Sequence, residues 1–274
     1  MFIVIDVGGT TTRMAASKDG KTFLQKERFA TNKDFSAGVA RTKASIAQVC
    51  SGESPTQITI GIPATIDHNT HIPLIVPQLP DWNNRDVRAE LFREYGCEIF
   101  VVNDAELGAM GEAVFGAGKA YRIVGYLAVG TGIGGALVID GKLLPTAYGR
   151  EPGHMILDLT GKPHPGSGQR GDWELYASGF TFQELYGADP KTCTDPKIWE
   201  HFAQRFGQGV VNTILLWSPE IMVIGGGMAN AGELLFTPLV RFVSERLKVF
   251  PPPPIRQAKL GDDAGLYGGL ALLK

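Results

Sequence analysis

Two stretches of the chain share one pattern of apolar and small residues. In the first, an apolar run over residues 1–5 leads to Asp6 and the glycines Gly8 and Gly9, after which the apolar pattern resumes. This order predicts a buried strand, a tight glycine turn with positive φ and an antiparallel return strand. The same order recurs over residues 126–140, and such a recurrence predicts two related halves that face one ligand.

The residue types at the first turn favour phosphate as its ligand. Backbone N–H groups at a glycine turn and threonine hydroxyls donate to phosphoryl oxygens, and Asp6 is suited to hold Mg²⁺ through water. The spacing of the glycines fits neither the Walker loop nor the Rossmann fingerprint. A plain hairpin without a ligand remains open, because glycine turns are common. The candidate phosphate ligands of this turn are Gly8, Gly9, Thr10, Thr11 and Thr12.

Outside the two hairpins, the apolar period of helices alternates with the short apolar runs of strands. This alternation predicts an α/β fold, in which ligand-binding loops follow the carboxyl ends of strands. Residues 63–67 form such a loop after a predicted strand over 58–62, whereas no regular element is predicted in the Gly- and Pro-rich segment 155–190. The other predicted helices cover residues 34–49, 84–95, 105–112, 198–217 and 233–249, and the other predicted strands cover 22–30, 99–102, 219–224 and 255–260.

A polar pair, Asn103 and Asp104, ends the predicted strand 99–102 and begins a helix rich in small residues. A carboxylate at this place is able to accept a proton from a bound hydroxyl while Asn103 binds a neighbouring group. The alternative is a helix N-cap, because Asp and Asn are both favoured at that position. The place of the pair between the two glycine turns favours catalysis, so Asp104 is the candidate general base.

Composition excludes several classes of protein. With 274 residues, of which 44% are hydrophobic, the chain is long enough for one large or two medium domains. A net charge of −2 without a Lys or Arg cluster gives no basic field for nucleic acid. With no apolar run of membrane-spanning length and no signal peptide ahead of the first strand, we expect no membrane partner and a cytoplasmic location. The widely spaced Cys50, Cys97 and Cys193 suit reduced thiols.

Six short motifs are spread along essentially the whole chain: Asp6-Val7-Gly8-Gly9-Thr10, Gly61-Ile62-Pro63, Leu79-Pro80-Asp81-Trp82, Asn103-Asp104, Gly130-Thr131-Gly132-Ile133-Gly134-Gly135 and Glu151-Pro152-Gly153-His154. Together they resemble the motifs of the ROK family of sugar kinases. The resemblance implies an α/β fold of two actin/hexokinase-like (ribonuclease H-like) domains that flank an interdomain cleft. The implied domains are residues 1–104, with a C-terminal helix 262–274 that packs back on them, and residues 105–261.

The resemblance also implies an ATP- and Mg²⁺-dependent kinase that acts on a hexose or amino-hexose. Asp104 is then the general base on the sugar hydroxyl, and Asp6 anchors Mg²⁺ through water. The implied sugar ligands are Pro63, Ala64, Thr65, Asn103, Glu151, His154 and Glu174, and the implied nucleotide ligands beyond the first turn are Thr131, Gly132, Gly225, Gly226 and Gly227. The implied partner is a small-molecule sugar, and the implied assembly is a homodimer.

The segment before Glu174 departs from the family pattern. Most ROK proteins hold a structural Zn²⁺ there with three cysteines and a histidine, whereas the cysteine positions are Pro165, Ser167 and Asp172 in this chain. Proline cannot ligate through its side chain and neutral serine is a poor substitute for thiolate, so we expect no Zn²⁺ site. A different metal site made by His154, His164 and Asp172 remains open, although its ligands are loosely spaced.

Two further departures concern the sugar loop, namely Ala64-Thr65 and Gln78. They leave glucose, fructose, mannose and N-acetylated sugars open as substrates. The rival from another functional class is a catalytically silent, sugar-sensing ROK protein without a DNA-binding module. The intact Asp104 argues against that rival.

Overall fold

The computed structural model describes residues 1–273 of the chain. Its contacts divide the chain into two compact units. The first consists of Met1–Val114, Pro145–Gly149 and the segment from Asp262 onward, and the second of Phe115–Leu144 and Arg150–Gly261. Lys274, the last residue of the predicted segment 262–274, lies outside the described residues. The predicted domain limits at 104 and 105 stay a prediction.

The elements follow each other in the order of an α/β protein. The strands are β1 (Phe2–Val7), β2 (Thr11–Ser17), β3 (Gln25–Ala30), β4 (Gln57–Ile62), β5 (Thr65–Asp67), β6 (Ile72–Ile75), β7 (Glu98–Asn103), β8 (Ile123–Val129), β9 (Ile133–Ile139), β10 (Lys142–Leu143), β11 (Ile221–Gly225) and β12 (Ile255–Gln257). The helices are α1 (Phe35–Cys50), α2 (Val87–Tyr95), α3 (Asp104–Val114), α4 (Glu174–Ala177), α5 (Gly179–Tyr186), α6 (Pro196–Trp217), α7 (Glu233–Arg246) and α8 (Ala264–Leu272). Short 3-10 helices cover Pro80–Trp82, Pro152–His154, Gly227–Ala231 and Gly261–Asp263.

Each unit contains a five-stranded sheet with the same topology. The order is β3-β2-β1-β4-β7 in the first unit and β10-β9-β8-β11-β12 in the second. In both sheets the first three strands along the chain form an antiparallel meander, and the last two run parallel to the first. The predicted recurrence of the glycine hairpin therefore corresponds to a repeated sheet.

The core of the first unit lies between its sheet and α1. Side chains alternate across a strand, and Ile3 and Ile5 of β1 belong to the same buried cluster as Ile46 and Val49 of α1. Helix α1 begins after Asp34, whose carboxylate accepts the N–H of Ala37 at 2.8 Å. This cap fixes where the helix starts on the sheet.

Helices α3 and α8 pack closely because glycines face each other's backbone. A Cβ on Gly111 of α3 would lie 2.3 Å from the carbonyl oxygen of Ala264, and one on Gly268 of α8 would lie 1.7 Å from that of Leu107. Any side chain at these two positions would push the helices apart. The segment from Asp262 onward is thereby held on the first unit through α3.

The core of the second unit is aromatic. Phe202 and Phe206 of α6 are fully buried, and Trp173 stacks on Phe206 with ring centroids 5.1 Å apart. Phe182 of α5 packs against Trp199 at 5.0 Å. This cluster holds the short helices α4 and α5 against the long helix α6.

Several elements differ from the sequence prediction. Helices α4 and α5 lie in the segment 155–190, where none was predicted, because both are short; α5 begins at its N-cap Ser178. Strands β5 and β6 were also not predicted. In the part of the chain that the structure describes, no helix has the length and apolar character of a membrane span.

Candidate active site

The first glycine turn joins β1 to β2 and is supported by threonines. The N–H of Gly8 donates to the carbonyl of Thr11 at 3.0 Å, and the hydroxyl of Thr31 donates to the carbonyl of Gly8 at 2.7 Å. Thr12 is buried, and its hydroxyl lies 2.8 Å from that of Thr31. Thr12 therefore stabilises the turn from within the unit, whereas Thr10 is exposed at its tip.

The glycines of this turn allow neighbouring groups to lie close to the backbone. The expectation of positive φ is wrong, because neither Gly8 nor Gly9 is among the positive-φ residues of the described chain. A Cβ on Gly8 would lie 2.8 Å from the carbonyl oxygen of Thr11, and one on Gly9 would overlap the side chain of Gln78. The sequence did not indicate this contact of Gln78 with the turn.

Asp6 ends β1 beside this turn with a side chain that is 15% exposed. A Cβ on Gly265 of α8 would lie 2.8 Å from its Cγ, so the glycine makes room for the carboxylate. Burial and the charges of Asp104 and Asp262 raise the pKa of Asp6 from its usual value of 3.8 to about 7, against the lowering effect of Arg13 at 3.8 Å. Buried carboxylates that repel each other are a donor set that fits a divalent cation such as Mg²⁺.

Asn103 caps helix α3. Its Oδ1 accepts the N–H of Ala105 at 2.8 Å and of Glu106 at 3.3 Å, while the Glu106 carboxylate accepts the N–H of Asn103 at 3.2 Å. This reciprocal arrangement is a capping box with Asn at the N-cap. Nδ2 of Asn103 donates to the carbonyl of Ala64 at 2.9 Å and so connects the loop after β4 to the start of α3.

Asp104 follows the cap and is half-buried. Its Oδ1 accepts the N–H of Ala105 at 2.9 Å. Burial above all raises its pKa to about 6; the Glu106 charge adds to this, and the backbone N–H groups oppose it. The structure thus places a weakly acidic carboxylate next to the cap.

The sugar loop begins at Pro63 and Ala64 and enters β5 at Thr65. His68 follows this strand, and its Nε2 lies 3.6 Å from the Glu106 carboxylate, which is buried. The structure therefore brings the loop, Asn103 and Asp104 together in the first unit. The sequence analysis did not single out Glu106. The capping-box spacing, with Asn103 followed three positions later by a glutamate, is the signal that could have indicated its role.

The second glycine turn joins β8 to β9, and its carbonyls are bound by a helix. The N–H groups of Gly179 and Phe180, at the start of α5, donate to the carbonyls of Gly130 at 2.7 Å and Thr131 at 3.1 Å. Thr131 is exposed at the tip of the turn. Glycine at 132 also serves close approach, because its φ is not positive and a Cβ there would lie 2.4 Å from Oε1 of Glu174.

The side chain of Glu174 binds a backbone N–H of the second hairpin. Its Oε1 accepts the N–H of Ile133 at 2.5 Å, and its Oε2 lies 3.3 Å from Nε2 of His164. A Cβ on Gly153 would lie 2.7 Å from the same Oε1, so the carboxylate is enclosed by glycines. The predicted role of Glu174 as a sugar ligand stays a prediction.

His154 pairs with Asp172. Its Nδ1 lies 2.8 Å from Oδ2 of Asp172, which is fully buried, and Oδ1 of Asp172 accepts the N–H of Leu175 at 3.3 Å. Burial of the ring lowers the pKa of His154, but the bond to Asp172 and the charges of Glu174 and Glu151 outweigh this and raise it above its usual range. One imidazole already bonded to one carboxylate does not fit the four thiolate and imidazole donors of structural Zn²⁺.

The last three implied nucleotide ligands, Gly225, Gly226 and Gly227, lie at the end of β11 and directly after it. Gly226 has φ 84°, and a Cβ there would lie 2.4 Å from the carbonyl oxygen of Val129, so only glycine fits beside the end of β8. Gly225 closes β11 against Tyr126, since a Cβ there would lie 2.6 Å from its hydroxyl. Gly227 begins a 3-10 helix, and a Cβ there would meet no heavy atom of the described chain within 4 Å.

Two sheets of identical topology, each with a glycine hairpin after its first strand, define the class of actin/hexokinase-like ATPases. The predicted fold class is confirmed. A family model described as the ROK family matches residues 2–274, so the chain belongs to the ROK family.

Sugar kinases are among the relatives that match the chain over nearly its whole length. The glucokinase of Thermotoga maritima is 31% identical, over 100% of this chain and 97% of that protein. The N-acetyl-D-glucosamine kinase of Erwinia tasmaniensis is 28% identical, over 99% of each chain. The crystal structure of a ROK family glucokinase from Streptomyces griseus, in complex with glucose and AMPPNP, is 25% identical and matches with a TM-score of 0.85 over 99% of this chain and 98% of that one. The predicted enzyme class, a sugar kinase, is confirmed.

Proposed function

We propose that the chain transfers a phosphoryl group from ATP, with Mg²⁺, to a hydroxyl of a hexose or amino-hexose, with Asp104 as general base. One observation carries this assignment. Asn103 caps α3, so Asp104 is not needed as the cap, and its carboxylate has a pKa raised to about 6. A base with a pKa near the working pH suits removal of a hydroxyl proton and contributes about 10²–10⁴-fold.

Asp6 is the residue proposed to hold Mg²⁺. When bound, the ion neutralises charge on the phosphates, which is the main requirement of phosphoryl transfer. The raised pKa of Asp6 supports the assignment, because a nearby cation favours the ionised carboxylate that burial disfavours. Arg13 alone does not offset the burial.

The two glycine turns are proposed to bind phosphate through their N–H groups. In the second turn the carbonyls of Gly130 and Thr131 are occupied by the start of α5. This leaves the N–H groups of the tip as the donors for a phosphoryl oxygen. Gly226 and Gly227 are proposed to lie beside the adenosine, since glycine allows close approach of a flat ring.

For the sugar, we propose Asn103, Glu151, His154, Glu174 and the loop 63–65 as ligands. Relatives named glucokinase and N-acetyl-D-glucosamine kinase support a hexose or amino-hexose as substrate. Asn103 has one Nδ2 hydrogen beyond its bond to Ala64, and His154 has its Nε2 beyond its bond to Asp172. Such groups pair well with sugar hydroxyls. A homodimer is proposed from the family resemblance.

The decisive experiment is detection of ADP with ATP, Mg²⁺ and a panel of glucose, fructose, mannose, N-acetylglucosamine and N-acetylmannosamine. We expect ADP formation that depends on one or a few of these sugars and that Asp104→Asn lowers at least about a hundredfold. Sugar binding by calorimetry without any ADP formation would favour the silent, sugar-sensing rival instead.

A further inference from the structure

His164 occupies a fixed position in the loop that departs from the family pattern. Its ring Nδ1 accepts the N–H groups of Gly166 at 3.1 Å and Ser167 at 3.2 Å, so the ring proton lies on Nε2. Its backbone N–H donates to the carbonyl of Gln169 at 2.7 Å, and its carbonyl accepts the N–H of Gly168 at 2.9 Å. The loop itself therefore sets both the orientation of the ring and its tautomer.

From this ring, contacts lead to the second glycine turn. Nε2 of His164 lies 3.3 Å from Oε2 of Glu174, and both side chains are 15% exposed. The other oxygen of Glu174 accepts the N–H of Ile133, the first residue of β9. Because the imidazole donates through Nε2 while Nδ1 accepts, the neutral ring is sufficient for this contact.

We propose that His164 is a positioning residue for phosphoryl transfer, which holds Glu174 on the N–H of Ile133 and thereby fixes the second glycine turn. The inference rests on the proposed function, in which this turn binds phosphate. The pairs His164–Glu174 and His154–Asp172 together connect the loop 164–172 to the unit at the place where the family resemblance implies Zn²⁺.

The geometry shows why the turn needs this contact. The start of α5 holds the carbonyls of Gly130 and Thr131, which leaves the strand at Ile133 to be held by Glu174. With both contacts, the tip between them is fixed at its two ends, and its donors are oriented before a ligand arrives. Preorganised donors of this kind are the main source of charge stabilisation in such sites.

Two substitutions of His164 separate its two contacts. His164→Asn retains an acceptor near the place of Nδ1 and loses the donor to Glu174, whereas His164→Gln retains an N–H near the place of Nε2. We expect His164→Asn to raise hydrogen exchange at the Ile133 amide and the KM for ATP about tenfold, as for loss of a hydrogen bond to a charged group. We expect His164→Gln to restore a large part of both values.

An independent variant tests the same contact from the other side. Gly132→Ala would place a Cβ 2.4 Å from Oε1 of Glu174, whereas Gly130→Ala on the same turn would meet no described atom within 4 Å. We expect faster exchange of the Ile133 amide in Gly132→Ala and wild-type exchange in Gly130→Ala, measured on variants with intact circular dichroism. Wild-type exchange in Gly132→Ala would overturn the inference even if His164→Asn does not fold, because Glu174 would then not hold the Ile133 amide.

The exchange measurement is independent of turnover, so it distinguishes the failure of this inference from the failure of the proposed function. Unchanged exchange at Ile133 in His164→Asn, or equal loss in His164→Asn and His164→Gln, would overturn the positioning role. Altered exchange with wild-type KM for ATP would also overturn it, because the contact would then be only structural. A wild-type protein that turns over no sugar would contradict the proposed function alone.

Discussion

Asp6 and Asp104 are two carboxylates in one buried region whose pKa values are both raised. Each would be expected to ionise near pH 4 in water, so the fold disfavours their charged forms. The difference between them lies in their contacts. Asp6 faces Arg13 and Gly265 of α8, whereas Asp104 accepts backbone N–H groups at the start of α3, among them that of Ala105. Their environments fit different tasks, a metal ligand and a base.

Substitution of the base separates binding from chemistry. Asp104→Asn retains the shape of the side chain and loses its basicity, so we expect kcat to fall by at least about a hundredfold with sugar binding retained. In the wild type, kcat/KM should rise with pH through an apparent pKa of about 6, as Asp104 loses its proton. Kinetics from pH 5 to 8 and calorimetry of sugar binding check both expectations. Near-normal turnover in Asp104→Asn would remove the residue from the mechanism.

The second carboxylate makes a prediction about stability. The pKa of Asp6 is raised on folding from 3.8 to about 7, so the native state loses stability as pH rises through this window. Asp6→Asn removes that loss, and Arg13 keeps its contact with Asp262 at 2.8 Å. We expect the variant without nucleotide or Mg²⁺ to gain about 2–4 kcal/mol relative to wild type at pH 8 and little at pH 4. Denaturant unfolding at both pH values checks this, and an equal gain at both would contradict it.

For single residues, the sequence predicted Asp104 as the base because it follows the end of a strand. It did not predict that Asn103 would be the cap, because Asn and Asp are about equally favoured there. The contact of Gln78 with Gly9 joins residues far apart in the chain, and that of His164 with Glu174 spans an irregular loop. No local pattern encodes such contacts.

Among the elements, the two glycine hairpins were predicted in place but for the wrong steric reason. Their glycines were expected at positive φ, whereas Gly8, Gly9 and Gly132 make room for a neighbouring carbonyl or side chain. Both reasons exclude larger residues, so the composition of the turn alone does not distinguish them. Strands and helices with a clear apolar period were predicted within a few residues. Helices α4 and α5 are too short to show a period, and the N-cap at Ser178 decides where α5 begins.

A larger residue in the second turn should affect the nucleotide above all. Gly132→Val would drive a branched side chain against the Glu174 carboxylate. Overpacking of this kind costs about 1–3 kcal/mol, so we expect the KM for ATP to rise about tenfold, with a smaller change in the KM for the sugar. Steady-state kinetics with each substrate varied in turn check this. An unchanged KM for ATP together with an unchanged kcat would contradict the assignment of the turn.

At the scale of the whole molecule, the loss of the family's cysteines should change the metal content of the protein. Because Pro165, Ser167 and Asp172 replace thiolates and His154 is bonded to Asp172, we expect purified protein to contain no stoichiometric Zn²⁺. It should stay folded in a strong chelator and regain full activity when excess Mg²⁺ is restored. Metal analysis and melting curves with and without chelator measure this. About one Zn²⁺ per chain, whose removal abolishes activity that only Zn²⁺ restores, would contradict the prediction.

The glycine contact between α3 and α8 has a consequence for biosynthesis. Helix α8 follows the whole second unit along the chain, yet it packs on α3 and on β1. A nascent chain that has emerged only as far as residue 261 exposes Gly111 and Leu107 without the helix that covers them. The first unit to leave the ribosome is thus the last to be completed. We expect chains interrupted there to be rapidly degraded by proteases, and pulse proteolysis of stalled ribosome complexes measures this.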